Sequence, residues 1–252
     1  MSGWDPYITE RDKRLFPLTG YGERGGFGER PVLLVIDVSY AFTGDGPEPI
    51  FESIKRWHNS AGEEAWRAIT QIQRLIAASR ERRLPIFYTT GPQDPIAGDF
   101  GMGRWKDKCG REAEDLEPAR ANQIVREIEP GPADVVIEKG KSSAFFGTLL
   151  PSYLADLGAD SIITCGVATS GCVRASVNDG FSYNYRMIVV EEGTFDRAEA
   201  SHWVNLFDMH MKYADVLGID EVLEYIGTLP DDLFVDRMPI LKGTAGGAPP
   251  AR

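Results

Sequence analysis

Residues 161–182, SIITCGVATSGCVRASVNDGFS, decide how the chain folds. The stretch opens on Ile162-Ile163-Thr164-Cys165, an apolar run that reads as a buried strand. A turn of small residues follows, from Gly166 to Gly171. Cys172 then heads a segment with Val173, Val177 and Phe181 at four-residue spacing, which predicts one apolar helix face. Cys172 therefore falls at a strand-to-helix junction, among the first backbone N–H groups of a helix. Those groups and the positive end of the helix dipole favour an anion, so the thiol is expected to shift toward thiolate, the nucleophilic form. The competing reading is a buried structural cysteine. Partners elsewhere in the chain decide between the two.

Outward from this stretch the pattern alternates. Upstream, residues 31–37 (PVLLVID) are continuously apolar without alternation, as in strands covered on both faces, and end in Asp37. Residues 63–83 carry Ala65, Ile69, Ile72 and Ile76 at helical spacing. A second strand is expected over 84–90 and a third over 134–139, ending at Lys139, with a helix over 143–157. Downstream come a strand over 186–191, a helix over 199–212, a short strand over 215–219 and a last helix over 220–226. Strands alternating with helices predict an α/β fold: a three-layer, doubly wound, mostly parallel six-stranded sheet with helices on both faces. The expected organisation is an N-terminal arm (1–30), one main domain (31–230) with a lid or insert loop at 91–130, and a partly disordered tail (231–252). The arm ends in GYGERGGFGER, which is too rich in glycine for a regular element.

Composition narrows the function. A formal net charge of −11 argues against nucleic acid or an anionic membrane as partner. No apolar run reaches the roughly 18 residues of a membrane helix, and MSGWDPYITERDKRLF lacks the apolar core of a signal peptide, so a cytoplasmic protein is expected. Cys109, Cys165 and Cys172 form no CxxC pair, and His58, His202 and His210 show no ligand spacing; each histidine reads as surface or structural. No metal and no cofactor are expected.

In a parallel sheet, ligands bind beyond the carboxyl ends of the strands. Asp37, Lys139 and Cys172 each end a strand or follow one, so the three converge on one crevice. Asp37 can accept the thiol proton and later return it to a leaving amine. Lys139, with Lys141 as its rival, supplies positive charge that favours thiolate and carboxylate. Backbone N–H groups of the turn can hold an oxyanion. Such a trio fits a hydrolase of amide or carbamoyl C–N bonds working through a thioester-type intermediate.

At these residues the chain resembles the isochorismatase-like cysteine hydrolases, most closely their N-carbamoylsarcosine amidohydrolase branch. The resemblance is carried by GERPVLLVIDVSYAFT, LPIFYTT, VVIEKGKSSAFFGT, IITCGVATSGCVRASVNDG, EEGTFDR and WVNLFDMHMKYADV, within roughly residues 20–230. It implies Asp37 as acid/base, Lys139 as catalytic lysine and Cys172 as nucleophile. It also implies a cis peptide at Val167–Ala168 and an oxyanion hole of the Ala168 and Cys172 N–H groups. Arg197 would hold a substrate carboxylate, Trp105 in the lid would bind substrate with it, and the assembly would be a homotetramer. The sequence departs from sister branches. It has YTTGPQDP where zinc nicotinamidases carry Asp-x-His, and it keeps the cysteine that isochorismatase proper lacks. The AEASHW segment departs from the carbamoylsarcosine pattern. The substrate therefore stays open between an N-carbamoyl amino acid and another small amide such as maleamate, biuret or ureidoacrylate. A non-catalytic small-molecule binding module is the alternative.

Overall fold

The computed structural model describes residues 3–92 and 118–238. Six strands form one sheet: β1 (Pro31–Ile36), β2 (Ile86–Thr90), β3 (Val135–Glu138), β4 (Ser161–Val167), β5 (Arg186–Phe195) and β6 (Asp215–Leu217). Their order is β3-β2-β1-β4-β5-β6, and every neighbouring pair is parallel. Every residue of β1 and β4 is buried. Successive strand side chains point to opposite faces, so unbroken burial means that both faces are covered. Each Leu, Ile or Val fully buried in this way contributes about 1.5–3 kcal/mol.

The main helices are α1 (Glu10–Thr19), α2 (Glu63–Glu81), α3 (Leu150–Leu157), α4 (Arg174–Ser182), α5 (Glu199–Lys212) and α6 (Ile219–Thr228). α2 buries Ala65, Ala68, Ile69, Ile72, Leu75 and Ile76 and lies across β1, β4 and β5. The chain builds β1 to β3 in one direction, then returns to lay β4 on the other side of β1. The order reverses between β1 and β4, and a crevice opens there beyond the strand ends.

β4 runs to Val167, past the point where a turn is expected. Gly166 is a strand residue: its φ is +112°, and a Cβ on it would lie 2.1 Å from the Ile36 carbonyl oxygen. A strand glycine of this kind marks a close approach of two backbones. The pairing with β5 is irregular at the same place, passing from Thr164↔Val189 to Gly166↔Thr194.

Two helices depart from their expected form. The helix expected from residue 143 starts at Leu150, because Gly147 takes a left-handed φ of +71° and Pro151 fits only the first turn. In α4 the buried stripe is Ser176, Val177 and Gly180, continuing from Val173 just before it, while Phe181 is 47 % exposed and meets Tyr213 edge-on. Four residues turn a helix through about 400°, so each such step rotates the side chain by about 40° and carries Phe181 off the buried face.

The arm holds a helix that periodicity does not signal, since no residue of α1 is buried. Thr9 caps it by accepting the Asp12 N–H, and Gly20 ends it at φ +74°. Residues 20–30 then run as an irregular strap across the bottom of the sheet. The Asp215 carboxylate accepts the N–H groups of Gly25 and Gly26 at 3.0 and 2.7 Å, and Asp160 accepts those of Glu29 and Arg30 at 2.7 and 2.8 Å. Phe234 is buried beyond α6, beneath the Arg30 guanidinium.

Candidate active site

Asp37 is the first residue after β1. Its N–H donates to the Thr89 carbonyl at 3.0 Å, and its φ is +53°, a left-handed conformation that costs a non-glycine residue about 1 kcal/mol or more. Lys139 follows β3, and its N–H continues the ladder to the Thr90 carbonyl. The lysine reaches over β2 to place Nζ 2.6 Å from Asp37 Oδ2. Nζ also donates to the Lys141 carbonyl at 3.1 Å, so what Lys141 contributes here is its backbone.

Cys172 lies in a wide π-turn, Thr169–Val173, that precedes α4. The Ala168 carbonyl closes this turn by accepting the N–H groups of Gly171 and Val173. The peptide bond Val167–Ala168 is cis, at the position the resemblance implies. Asp37 and Lys139 both act electrostatically on the Cys172 thiol. The three side chains are therefore one cluster at the crevice, 4 %, 8 % and 6 % exposed for Asp37, Lys139 and Cys172.

The electrostatics of the thiol are the reverse of the expectation from helix position. Burial pushes the Cys172 thiol up to about 12, the Asp37 charge adds to the rise, and Lys139 only partly opposes it. Desolvation outweighs the helix end because a buried thiolate loses its hydration, whereas the turn's dipoles supply a fraction of a charge. Burial pulls the Lys139 ammonium down, but the Asp37 carboxylate and the Cys172 sulfur more than offset this, and it stays above its ordinary value. The resting cluster is an Asp37–Lys139 ion pair beside a neutral thiol.

Arg197 stands just after β5, exposed, with its guanidinium donating to the Asn59 carbonyl at 2.9 Å. Its neighbour Asp196 is buried and accepts both the N–H and the hydroxyl of Ser170, at 2.9 and 2.7 Å, which ties the nucleophile turn to the end of β5. Trp105 lies outside the described residues.

Three residues of this neighbourhood are not singled out by sequence: Thr89, Asp196 and His202. The Thr89 hydroxyl donates to Asp37 Oδ1 at 2.8 Å. His202 has its Nδ1 2.8 Å from the Thr169 hydroxyl, and burial lowers its pKa against the opposing pull of Asp196 and Glu199. A strand-end threonine beside a strand-end aspartate was a visible signal for Thr89. Nothing local signals the other two, which meet the turn only in the folded chain. Among the described residues, no group of three or more His, Cys, Asp and Glu side chains is placed to hold a metal ion, and no helix is long and apolar enough to cross a membrane.

The family model described as the isochorismatase domain matches residues 31–221. The chain is 34 % identical to the N-carbamoylsarcosine amidase of an Arthrobacter species, over 91 % of this chain and 83 % of that one. It is 32 % identical to the maleamate amidohydrolase of Pseudomonas putida, over 82 % and 91 %. Against the ureidoacrylate amidohydrolase of Yersinia enterocolitica the identity is 30 %, over 64 % and 74 %. Among solved structures, a cysteine hydrolase from Pseudomonas syringae pv. phaseolicola superposes with a TM-score of 0.68 at 19 % identity, covering 81 % of this chain and 96 % of that one. That likeness is one of fold. By the match across its sheet and its likeness to the Arthrobacter and Pseudomonas putida enzymes, the chain belongs to the isochorismatase family.

Proposed function

We propose that this protein is a cysteine-dependent amidohydrolase that cleaves a C–N bond of a small N-carbamoyl amino acid, of the N-carbamoylsarcosine kind, and releases ammonia. The observation that carries this reading is the buried cluster of Asp37, Lys139 and Cys172, with Lys139 Nζ 2.6 Å from Asp37 Oδ2. A thiol that burial keeps protonated needs a base beside it, and Asp37 is that base.

In the proposed cycle Asp37 takes the Sγ–H proton as sulfur bonds to the carbamoyl carbon. The C=O electron pair moves onto oxygen, and the N–H groups of Ala168 and Cys172 receive the oxyanion. Collapse re-forms C=O and breaks the C–N bond, while Asp37 passes its proton to the departing nitrogen, which leaves as ammonia. An S-carbamoyl thioester remains. Water, giving a proton to Asp37, adds to its carbonyl; the C–S bond then breaks and sulfur regains that proton. The carbamic acid so formed loses carbon dioxide to free the amine. Lys139 keeps the carboxylate in place and offsets the negative charge passing between Asp37 and sulfur.

Arg197 is proposed to bind the carboxylate of the substrate. One of its N–H groups serves Asn59, and a guanidinium has five, enough for a bidentate bond to a carboxylate as well. Trp105 is proposed as a second substrate-binding residue, from the lid. Relatives named for maleamate and ureidoacrylate support the second reading, hydrolysis of another small amide acid at the same cluster. We propose a homotetramer by family likeness, and a cytoplasmic protein from the reading of the sequence. Light scattering on the purified chain tests the assembly.

Ammonia release from a panel of carbamoyl and amide acids, beside their neutral esters, tests the reaction and the substrate together. The expected outcome is turnover of a carboxylate-bearing substrate, with Arg197→Ala reducing kcat/KM on acids by roughly 10- to 150-fold and far less on neutral analogues. No turnover across the panel would refute the hydrolase. Equal losses on acids and esters would make Arg197 structural.

A further inference from the structure

Both carboxylate oxygens of Asp37 are engaged. Oδ2 receives the Lys139 ammonium at 2.6 Å, and Oδ1 receives the Thr89 hydroxyl at 2.8 Å. Thr89 is buried on β2, in register with Ile36, one residue before Asp37. Its hydroxyl oxygen also accepts the Asp37 N–H at 3.3 Å. With a backbone donor directed at its oxygen, the hydroxyl turns its own proton to the carboxylate. One side chain thus grips both the backbone and the carboxyl group of a residue held at φ +53°.

The grip has work to do. Rotation of a carboxylate about Cβ–Cγ is soft, with broad wells, so an ammonium on one oxygen leaves the plane of the group free to swing. A second donor on the other oxygen fixes that plane, and with it the lone pair that faces Cys172. A donor to the ionised form also favours that form over the protonated one. Among the described residues, the titratable groups facing Asp37 are Lys139, from the end of β3, and Cys172, from the turn after β4. From β2 comes Thr89, which carries no charge.

We infer that Thr89 is the positioning residue for the base: it orients the Asp37 carboxylate so that it can take the Cys172 proton. This rests on the reading of Asp37 as the base in the proposed hydrolysis. The test compares Thr89→Val, Thr89→Ala and Thr89→Ser with the unaltered protein by two pH profiles. One is kcat/KM for ammonia release. The other is labelling of Cys172 by iodoacetamide, read at that peptide by mass spectrometry, which needs no substrate.

The expected result is that Val and Ala move the acid limb of both profiles up by about one pH unit. They lower kcat roughly 10-fold with KM within about twofold, and Ser restores both limbs. Folding of Ala and Ser keeps the comparison intact should Val not fold. An unmoved limb in Val and Ala, or a Ser profile as displaced as that of Ala, would overturn the inference. Displaced labelling in a protein that hydrolyses no member of the panel would refute the hydrolase reading and leave Thr89 in its role.

Discussion

At the scale of single residues, burial pushes the Cys172 thiol up to about 12, and the proposed chemistry begins when a base takes its proton. Cys172→Ser and Cys172→Ala are therefore expected to abolish ammonia release while changing Tm by no more than about 2 °C, since neither change adds bulk or charge to the pocket. Calorimetry beside the activity assay checks this, and a variant that kept most of its turnover would remove Cys172 from the chemistry. Lys139→Ala is expected to lose both activity and about 3–5 kcal/mol of stability, because it strands the Asp37 charge in the core. Lys141→Ala should keep most of both, since the Lys139 ammonium meets the backbone of Lys141. Loss confined to the Lys141 variant would reverse the assignment. The trio was legible because each member follows the carboxyl end of a strand, and in a parallel sheet that position brings distant residues together. The protonation state of the thiol was not legible, because it depends on how much water the fold removes.

At the scale of elements, the strands were read more reliably than their ends. A continuous apolar run such as residues 31–36 has one explanation in a small domain, burial on both faces. Gly166, by contrast, reads equally well as a turn glycine or as the site of close strand approach, and only the packing of β4 on β1 decides. That closeness gives a sharp test. Gly166→Ala would put a methyl carbon against the Ile36 carbonyl at a left-handed φ, so a loss of at least about 2 kcal/mol is expected. For a chain of this size that means Tm falls by about 4–8 °C. Because Ile36 precedes Asp37, activity should fall as well; wild-type Tm and turnover in this variant would mean the two strands are not held so tightly. The arm helix stayed hidden for the opposite reason to Gly166, since α1 buries none of its residues and leaves no apolar period to read.

At the scale of the whole molecule, the fold is expected to respond to acid through two histidines of α5, His202 beside the nucleophile turn and His210 beside β6. Burial lowers the pKa of His202 against the pull of Asp196 and Glu199, and lowers that of His210 against the pull of Asp215. The folded chain therefore holds fewer protons than the unfolded chain just below 6.5, the ordinary histidine value. The stability tied to these neutral rings is complete above that value and is lost as pH falls from it toward the lower folded values. The slope is at most about 1.4 kcal/mol per pH unit for each ring. Tm measured against pH should decline through this window, and His202→Gln with His210→Gln should flatten it. An equal decline in the double variant would assign the acid response to carboxylates instead.

The strap over residues 20–30 is held chiefly by carboxylates on backbone N–H groups. At Glu29 that fastening takes no notice of the side chain, which is exposed. Evolution or an engineer can rewrite the exposed surface at Glu29, by Ala, Lys or Ser, with the grip unaltered, so the segment is a natural place to append a tag or a label. The exchange Glu29 itself refuses is to proline, which has no N–H to offer: Glu29→Pro should release one arm of the Asp160 clasp and lower stability by about 1–3 kcal/mol, where Glu29→Ala leaves it within about 0.5 kcal/mol. Chemical denaturation of the two variants reads the difference, and equal midpoints would mean the clasp holds nothing.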